Sequence, residues 1–174
     1  MNKETRDLLE SRAIAMAKEP EQKKSDSPVI QLITFTLASE IYGIESSYIR
    51  EVYQLKDFTP LPGVPAYILG VINVRSQIIP VIDLKKLFKL PEQGLTELNK
   101  VIILHDEQME FGILADVVMG NQAVAIDEIK KAPLTLKGIG QEYLKGVTVK
   151  QLIILDAGRL LNDKSIVVDD IVDL

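Results

Sequence analysis

Few residues in this chain could do covalent chemistry, and their spacing argues against it. His105 is the only histidine, it is followed by Asp106 and Glu107, and there is no cysteine. Zinc and non-haem iron sites draw on imidazole and thiolate, so a cation here would have to be held by carboxylates alone. A Ser-His-Asp arrangement would need the same His105, and no Gly-x-Ser-x-Gly presents a serine on a strand–turn–helix. His105 therefore reads as a residue of a surface turn. In "KGIGQEYLKG", Gly138 and Gly140 lack the third glycine of a dinucleotide fingerprint and no βαβ pattern surrounds them, so they read as loop. Asp169, Asp170 and Asp173 form an acidic tail of the solubilising kind. No catalytic residue, metal or cofactor is expected, and the residue types point to a protein that holds other proteins.

Composition narrows the class further. The 174 residues are 47% apolar with a formal charge of −5 and a pI near 5.0. A chain of this size buries roughly 70% of its unfolded surface and needs no staple. An acidic balance argues against nucleic acid as the main ligand, and five Tyr and four Phe without basic clustering make no base-stacking platform. No apolar run approaches the ~20 residues of a membrane span, and the charged N-terminus lacks a signal peptide's apolar core. With no cysteine, the expectation is a cytoplasmic protein in a reducing compartment.

The elements that would carry any site are mostly strands. Residues 3 to 18 read as a helix, with Leu8, Leu9, Ala13, Met16 and Ala17 on one side, and Glu19 to Pro28 as a polar tether. The boundary is thus expected between residues 1–28 and a compact domain at 29–174. "VIQLITFTL" and "EIYGI" predict a hairpin around Ala38–Glu40, and "SSYIREVYQL" a turn feeding a strand. Pro60, Pro62 and Pro65 require an ordered loop, with "AYIL" as a helical turn after it.

"GVINVRSQIIPVIDL" predicts a very apolar hairpin with a cation, Arg75, at its tip. Pro80 cannot donate to a ladder, which predicts an edge strand or a bulge. Asp83 is placed to cap a short helix over "LKKLFKL", whose Lys85, Lys86 and Lys89 would form a solvated face.

The second half repeats this order. "EFGIL" echoes "IYGIE", and "LKGVTVKQLIILDAGRLL" echoes "ILGVINVRSQIIPVIDLKKLF", so Gly43 is answered by Gly112 and Gly70 by Gly146. Two copies of one plan predict two small barrels, each closing its own edges and leaving a seam between them.

In "FTLASEIYGI", "YIREVYQL", "PLPGVPAYILGVINVRSQIIPVIDL" and "LIILDAGRLL", in that order, the chain resembles the CheW family of chemotaxis coupling proteins over roughly Leu32 to Leu161. The resemblance implies a mainly β fold of two pseudo-symmetric, intertwined five-stranded barrels sharing an apolar core, with short flanking helices. It also implies a non-catalytic adaptor that bridges the cytoplasmic tips of methyl-accepting receptors to the regulatory domain of a CheA-type histidine kinase, and so is recruited to membrane-bound receptor arrays. Carried over by motif, the contact positions are Ile49 and Glu51 in "YIREV", Gly70 in "ILGVIN" and Arg75 in "NVRSQ". One position departs from the family, which usually follows that arginine with glycine. Ser76 stands here, so the turn is either strained or of another type.

The residues leave two alternatives open. One is an adaptor of a signalling array outside chemotaxis, the other a small-molecule sensor using the cleft between the barrels. Arg75 is then either a contact, for which the planar, stackable guanidinium is suited, or a solvated turn cation.

Overall fold

The computed structural model describes residues 27–92, 94–131 and 139–166. The helix expected at 3 to 18, most of the tether, Gly138 and the acidic tail lie outside them. The strands form in the expected order, twice over. The first half gives β1 (Val29–Leu37), β2 (Glu40–Glu45), β3 (Ile49–Gln54), β4 (Ile68–Val74), β5 (Gln77–Ile82) and the short helix α1 (Leu84–Leu87). The second half gives β6 (Lys100–His105), β7 (Glu110–Ala115), β8 (Val117–Ala125), β9 (Leu144–Val147), β10 (Ile153–Leu155) and α2 (Ala157–Asn162). The "AYIL" turn is shorter than expected, because Ile68 and Leu69 already belong to β4.

The halves are not the modules. One five-stranded sheet runs β8-β1-β2-β10-β9 and the other β3-β6-β7-β5-β4. Each sheet joins the first two strands of one half to the last three of the other, so the chain changes sheets once within each half. At the centre of each sheet the halves meet in a parallel pair, β2 with β10 and β5 with β7. Parallel partners need no tight turn between them and so can come from distant chain segments.

Each sheet closes on itself through one isolated bridge. Thr59, in the proline loop after β3, exchanges two backbone hydrogen bonds of 2.9 Å with Val71 of β4. Lys130, after β8, does the same with Val147 of β9 at 2.9 and 2.8 Å. Such approach leaves no room for a side chain on the residue before each bridged valine. A Cβ on Gly70 would stand 2.4 Å from the Thr59 carbonyl oxygen, and one on Gly146 2.5 Å from that of Lys130. The recurrence of this glycine in both halves has the same cause in each.

Closed this way, every inner strand has two faces to bury. Val101 and Ile103 of β6 pack inside one barrel with Ile72, Val74, Ile79, Val81 and Leu114. Ile102 and Leu104, alternating with them, enter a larger cluster with Phe35, Leu37, Tyr42 and Ile44 of the other sheet. Strand β10 behaves likewise, with Ile154 inside its own barrel beside Leu32, Val124 and Leu152, and Ile153 and Leu155 in the shared cluster. That two-sided burial is why "VIIL" and "IIL" are unbroken apolar runs, where a half-exposed strand would alternate.

The crossings between sheets are pinned by the helices. Asp116 is the single residue between β7 and β8, and its Oδ1 lies 2.5 Å from Nζ of Lys85 in α1. Its Oδ2 accepts from the Ala38 backbone N–H of the β1–β2 turn at 2.8 Å. Lys85 is only 2% exposed, so the solvated face expected for it is wrong, although Lys86 is exposed as expected. The helix holds Lys85 and Lys86 but ends before Lys89, whose φ is 57°, and because α1 lies under the crossing Lys85 faces inward. At the other crossing Tyr48 stands between β2 and β3, and its hydroxyl comes within 3.5 Å of a Cβ built on Gly158 in α2. Lysine with aspartate on one side thus corresponds to glycine with tyrosine on the other.

Asp83 caps α1 as expected, its side chain accepting from the Lys85 backbone N–H at 3.0 Å. Asp156 caps α2 in the same way through Arg159 N–H. Pro80 is not on an edge strand, since β5 lies between β4 and β7. It stands one residue before the first β5–β7 pair, Val81 with Gly112, where the strand is not yet flanked on that side.

Two predictions follow from this packing. Gly70→Ala and Gly146→Ala should each destabilise the fold by roughly 2–3 kcal/mol, because a carbonyl must move away from the new methyl group; urea titration checks this. Burial raises the Asp83 carboxyl above its ordinary range, partly offset by the Lys85 charge and N–H. A carboxyl raised in the native state contributes most to stability at acid pH, and that contribution is lost as pH rises through its unfolded and then its native pKa. Asp83→Asn keeps the cap and removes the charge, so its stability relative to the parent should be greater at pH 7 than at pH 4.

Candidate docking site

At the tip of the β4–β5 hairpin Val74 pairs with Gln77, leaving a two-residue loop of Arg75 and Ser76. Both have positive φ, 51° and 67°, which is the type I′ geometry that matches the twist of the flanking strands. This resolves the question raised by Ser76: the tight turn is kept, and two residues with side chains occupy left-handed backbone. Each such residue costs roughly 1–2 kcal/mol relative to right-handed conformations. The turn raises Arg75 clear of the barrel, with its side chain 75% exposed.

Arg75 is met by β3. Its Nη2 lies 3.5 Å from Oε2 of Glu51, whose side chain is only 22% exposed. The structure therefore brings together two of the four residues singled out in the sequence. Ile49 lies two positions before Glu51 on the same strand, half-buried against the shared core. Gly70 has a different place: its close neighbours are Thr59 and Pro60 at the barrel closure. Val52 and Ile78, adjacent in sequence to Glu51 and Gln77, are 38% and 55% exposed. The tip thus pairs a cation with a carboxylate, while Val52 and Ile78 project from the opposite side of their strands to Glu51 and Gln77.

A second cluster was not anticipated from the sequence. Strand β3 pairs with β6 through Ile49–Leu104 and then Glu51–Ile103, so Arg50 is an extra residue in a bulge. Its Nη1 donates to Glu110 Oε1 and Oε2 at 2.6 and 2.8 Å and to Gln77 Oε1 at 2.8 Å. No periodicity in "YIREVYQL" announces a bulge, since it is a property of the pairing with β6.

A cavity of about 290 Å³ opens beside the Thr59–Val71 closure, lined by Tyr53, Lys56, Asp57, Phe58, Thr59, Val71, Ile72 and Asn73. It lies on one sheet, away from the seam where a sensor's cleft was considered. Among the described residues no cluster of His, Asp and Glu is arranged to hold a metal ion.

Comparison with known proteins agrees with this architecture. The profile of the CheW-like domain matches residues 31–165. The chemotaxis protein CheW of Treponema pallidum is 36% identical over 165 residues, covering 91% of this chain and 93% of the relative. That of Klebsiella aerogenes is 31% identical over 145 residues, covering 80% and 86%. The crystal structure of the scaffolding protein TtCheW from Thermoanaerobacter tengcongensis superposes with a TM-score of 0.66 at 28% identity, over 74% of this chain and 83% of that one.

The strained tip gives its own test. Ser76→Gly should raise stability by about 1 kcal/mol, since glycine adopts positive φ freely. Thermal and urea denaturation of the single variant measure it.

Proposed function

The chain belongs to the CheW-like family, whose members are non-catalytic chemotaxis scaffolds, and from that membership we propose the partners and the face by which it couples them. It is an adaptor in chemotaxis signalling and not an enzyme. The partners proposed are the cytoplasmic tips of methyl-accepting receptors and the regulatory domain of a CheA-type kinase. Among the described residues no helix is long and apolar enough to cross a membrane, so an array at the membrane would be reached through the receptors.

The observation that carries this reading is the pairing of exposed Arg75 with Glu51 on the face formed by the hairpin tip and β3. An exposed ion pair adds little to stability on its own. Arginine is, however, enriched among the residues that carry most of the binding energy in protein interfaces. Ile49 connects the face to the shared core, and Gly70 serves it indirectly by allowing the barrel to close beneath the hairpin. Residues 29–174 are proposed to act as one docking domain.

Arg75→Ala should weaken binding to the receptor tip, the kinase regulatory domain, or both, by about 1–3 kcal/mol. Because the side chain is mostly exposed, the same change should alter folding stability by no more than about 0.5 kcal/mol. Titration calorimetry with each partner fragment and a melt of the variant check both numbers. Unchanged affinity for both partners removes Arg75 from the interface.

A further inference from the structure

The Arg75–Glu51 contact is too open to aim the arginine. At 3.5 Å and 75% exposure of Arg75, it competes with water and is screened by salt. The turn that carries Arg75 is strained at both central residues. A strained tip holds one orientation only if its flanks are fixed by something stronger.

The stronger element is adjacent. Gln77 is the first residue after the turn and closes it by pairing with Val74. Its side-chain oxygen is held at 2.8 Å by Arg50, whose other bonds go to both oxygens of Glu110. Arg50 thereby joins β3, where it sits, to the first residues of β5 and β7. Charge-assisted bonds of this length are about twice as strong as neutral ones. The Arg50 and Glu110 side chains are also less exposed, at 35% and 28%, than that of Arg75.

The bulge explains how one strand can hold both sides of the tip. In regular pairing Arg50 and Glu51 would project to opposite faces. The extra residue at position 50 locally re-aims the strand, so that Glu51 reaches Arg75 while Arg50 reaches Gln77, two residues further along the same hairpin.

We infer that Arg50 is a positioning residue for the docking arginine: through Gln77 and Glu110 it fixes the base of the β4–β5 hairpin, so that the type I′ tip presents Arg75 to the partner in one orientation. This rests on the docking role of Arg75 proposed above. It requires of Arg50 no contact with the partner.

The test is a double-mutant cycle, read as affinity for the receptor tip and the kinase regulatory domain used above. Arg50→Met retains the length of the stem and removes the donors. It should weaken binding roughly three- to tenfold in the parent chain. In an Arg75→Ala background it should change affinity less than about twofold, because nothing remains to be aimed. Glu110→Gln, which weakens the same anchor from the other side, should follow the pattern. A melt of each variant identifies any that fails to fold, and the pattern is then read from the other.

If Arg50→Met leaves affinity unchanged, or weakens it equally in both backgrounds, the positioning role is overturned while docking by Arg75 stands. If Arg75→Ala alone leaves affinity unchanged, the docking reading itself fails and this inference falls with it.

Discussion

The constraint on which the rest depends is that the inner strands are apolar on both faces. Strand β6 cannot be satisfied by one barrel, since Val101 and Ile103 fill its interior while Ile102 and Leu104 remain to be covered from outside. Covering them requires a second sheet with the same need, which is what β1, β2 and β10 supply through Phe35, Leu37, Tyr42, Ile44, Ile153 and Leu155. At about 25 cal/mol per Å² of apolar surface removed from water, this shared layer is too large for either sheet to leave exposed. The two modules are therefore a single folding unit. The exchange of strands between halves reinforces that, because neither sheet can be assembled from one half alone.

Pseudo-symmetry sets the frame, and its breaking sets where function can sit. The closing bridges and their glycines match in both halves. The crossings do not: Lys85 and Asp116 form an ion pair at one, where Gly158 and Tyr48 stand at the other. Removing one partner of a buried pair generally costs about 3–5 kcal/mol, so this crossing is held by charge, whereas a glycine and a tyrosine stand at the corresponding positions of the other. The hairpins differ as well. The β4–β5 connection has two residues, while the connection from β9 to β10 is longer, turning back through Thr148 and Gln151 with Val149 fully outward. Only one of the two equivalent hairpins thus offers a short tip bearing an arginine, so the nearly symmetric frame presents an asymmetric surface.

Much of this was legible in the sequence because it is local. Alternating and continuous apolar runs marked the strands, Asp83 marked a helix start, and the recurrence of Gly43 with Gly112 and Gly70 with Gly146 marked the two copies. The cation at the hairpin tip was visible for the same reason. What failed depended on partners distant in sequence. Lys85 looked solvated because its helix gives no hint that Asp116 will cover it. Pro80 suggested an edge or a bulge, and it has neither, because a sequence does not say which residue of an interior strand is still unflanked. The Arg50 bulge is invisible in β3 alone, existing only in its register against β6. The assignment of strands to sheets was also beyond the repeat, since matching copies suggest one barrel each and the structure interleaves them.

The use of side-chain residues in a turn that favours glycine has a physical rationale within this frame. A glycine at position 76 would relieve the left-handed backbone, but it would also widen the range of conformations open to the tip. Serine admits far fewer. The cost in folding free energy, roughly 1–2 kcal/mol per left-handed residue, is small beside the burial that holds the two sheets together. Affinity at an interface is lost when an exposed side chain must be ordered on binding, by about 0.5–1.5 kcal/mol for each rotamer-rich group. A two-residue turn of restricted backbone that projects one arginine would place part of that ordering before an encounter. Strain at the tip and burial beneath it are thus two sides of one arrangement, since only a well-packed frame can hold an exposed arginine in a conformation that its own backbone disfavours.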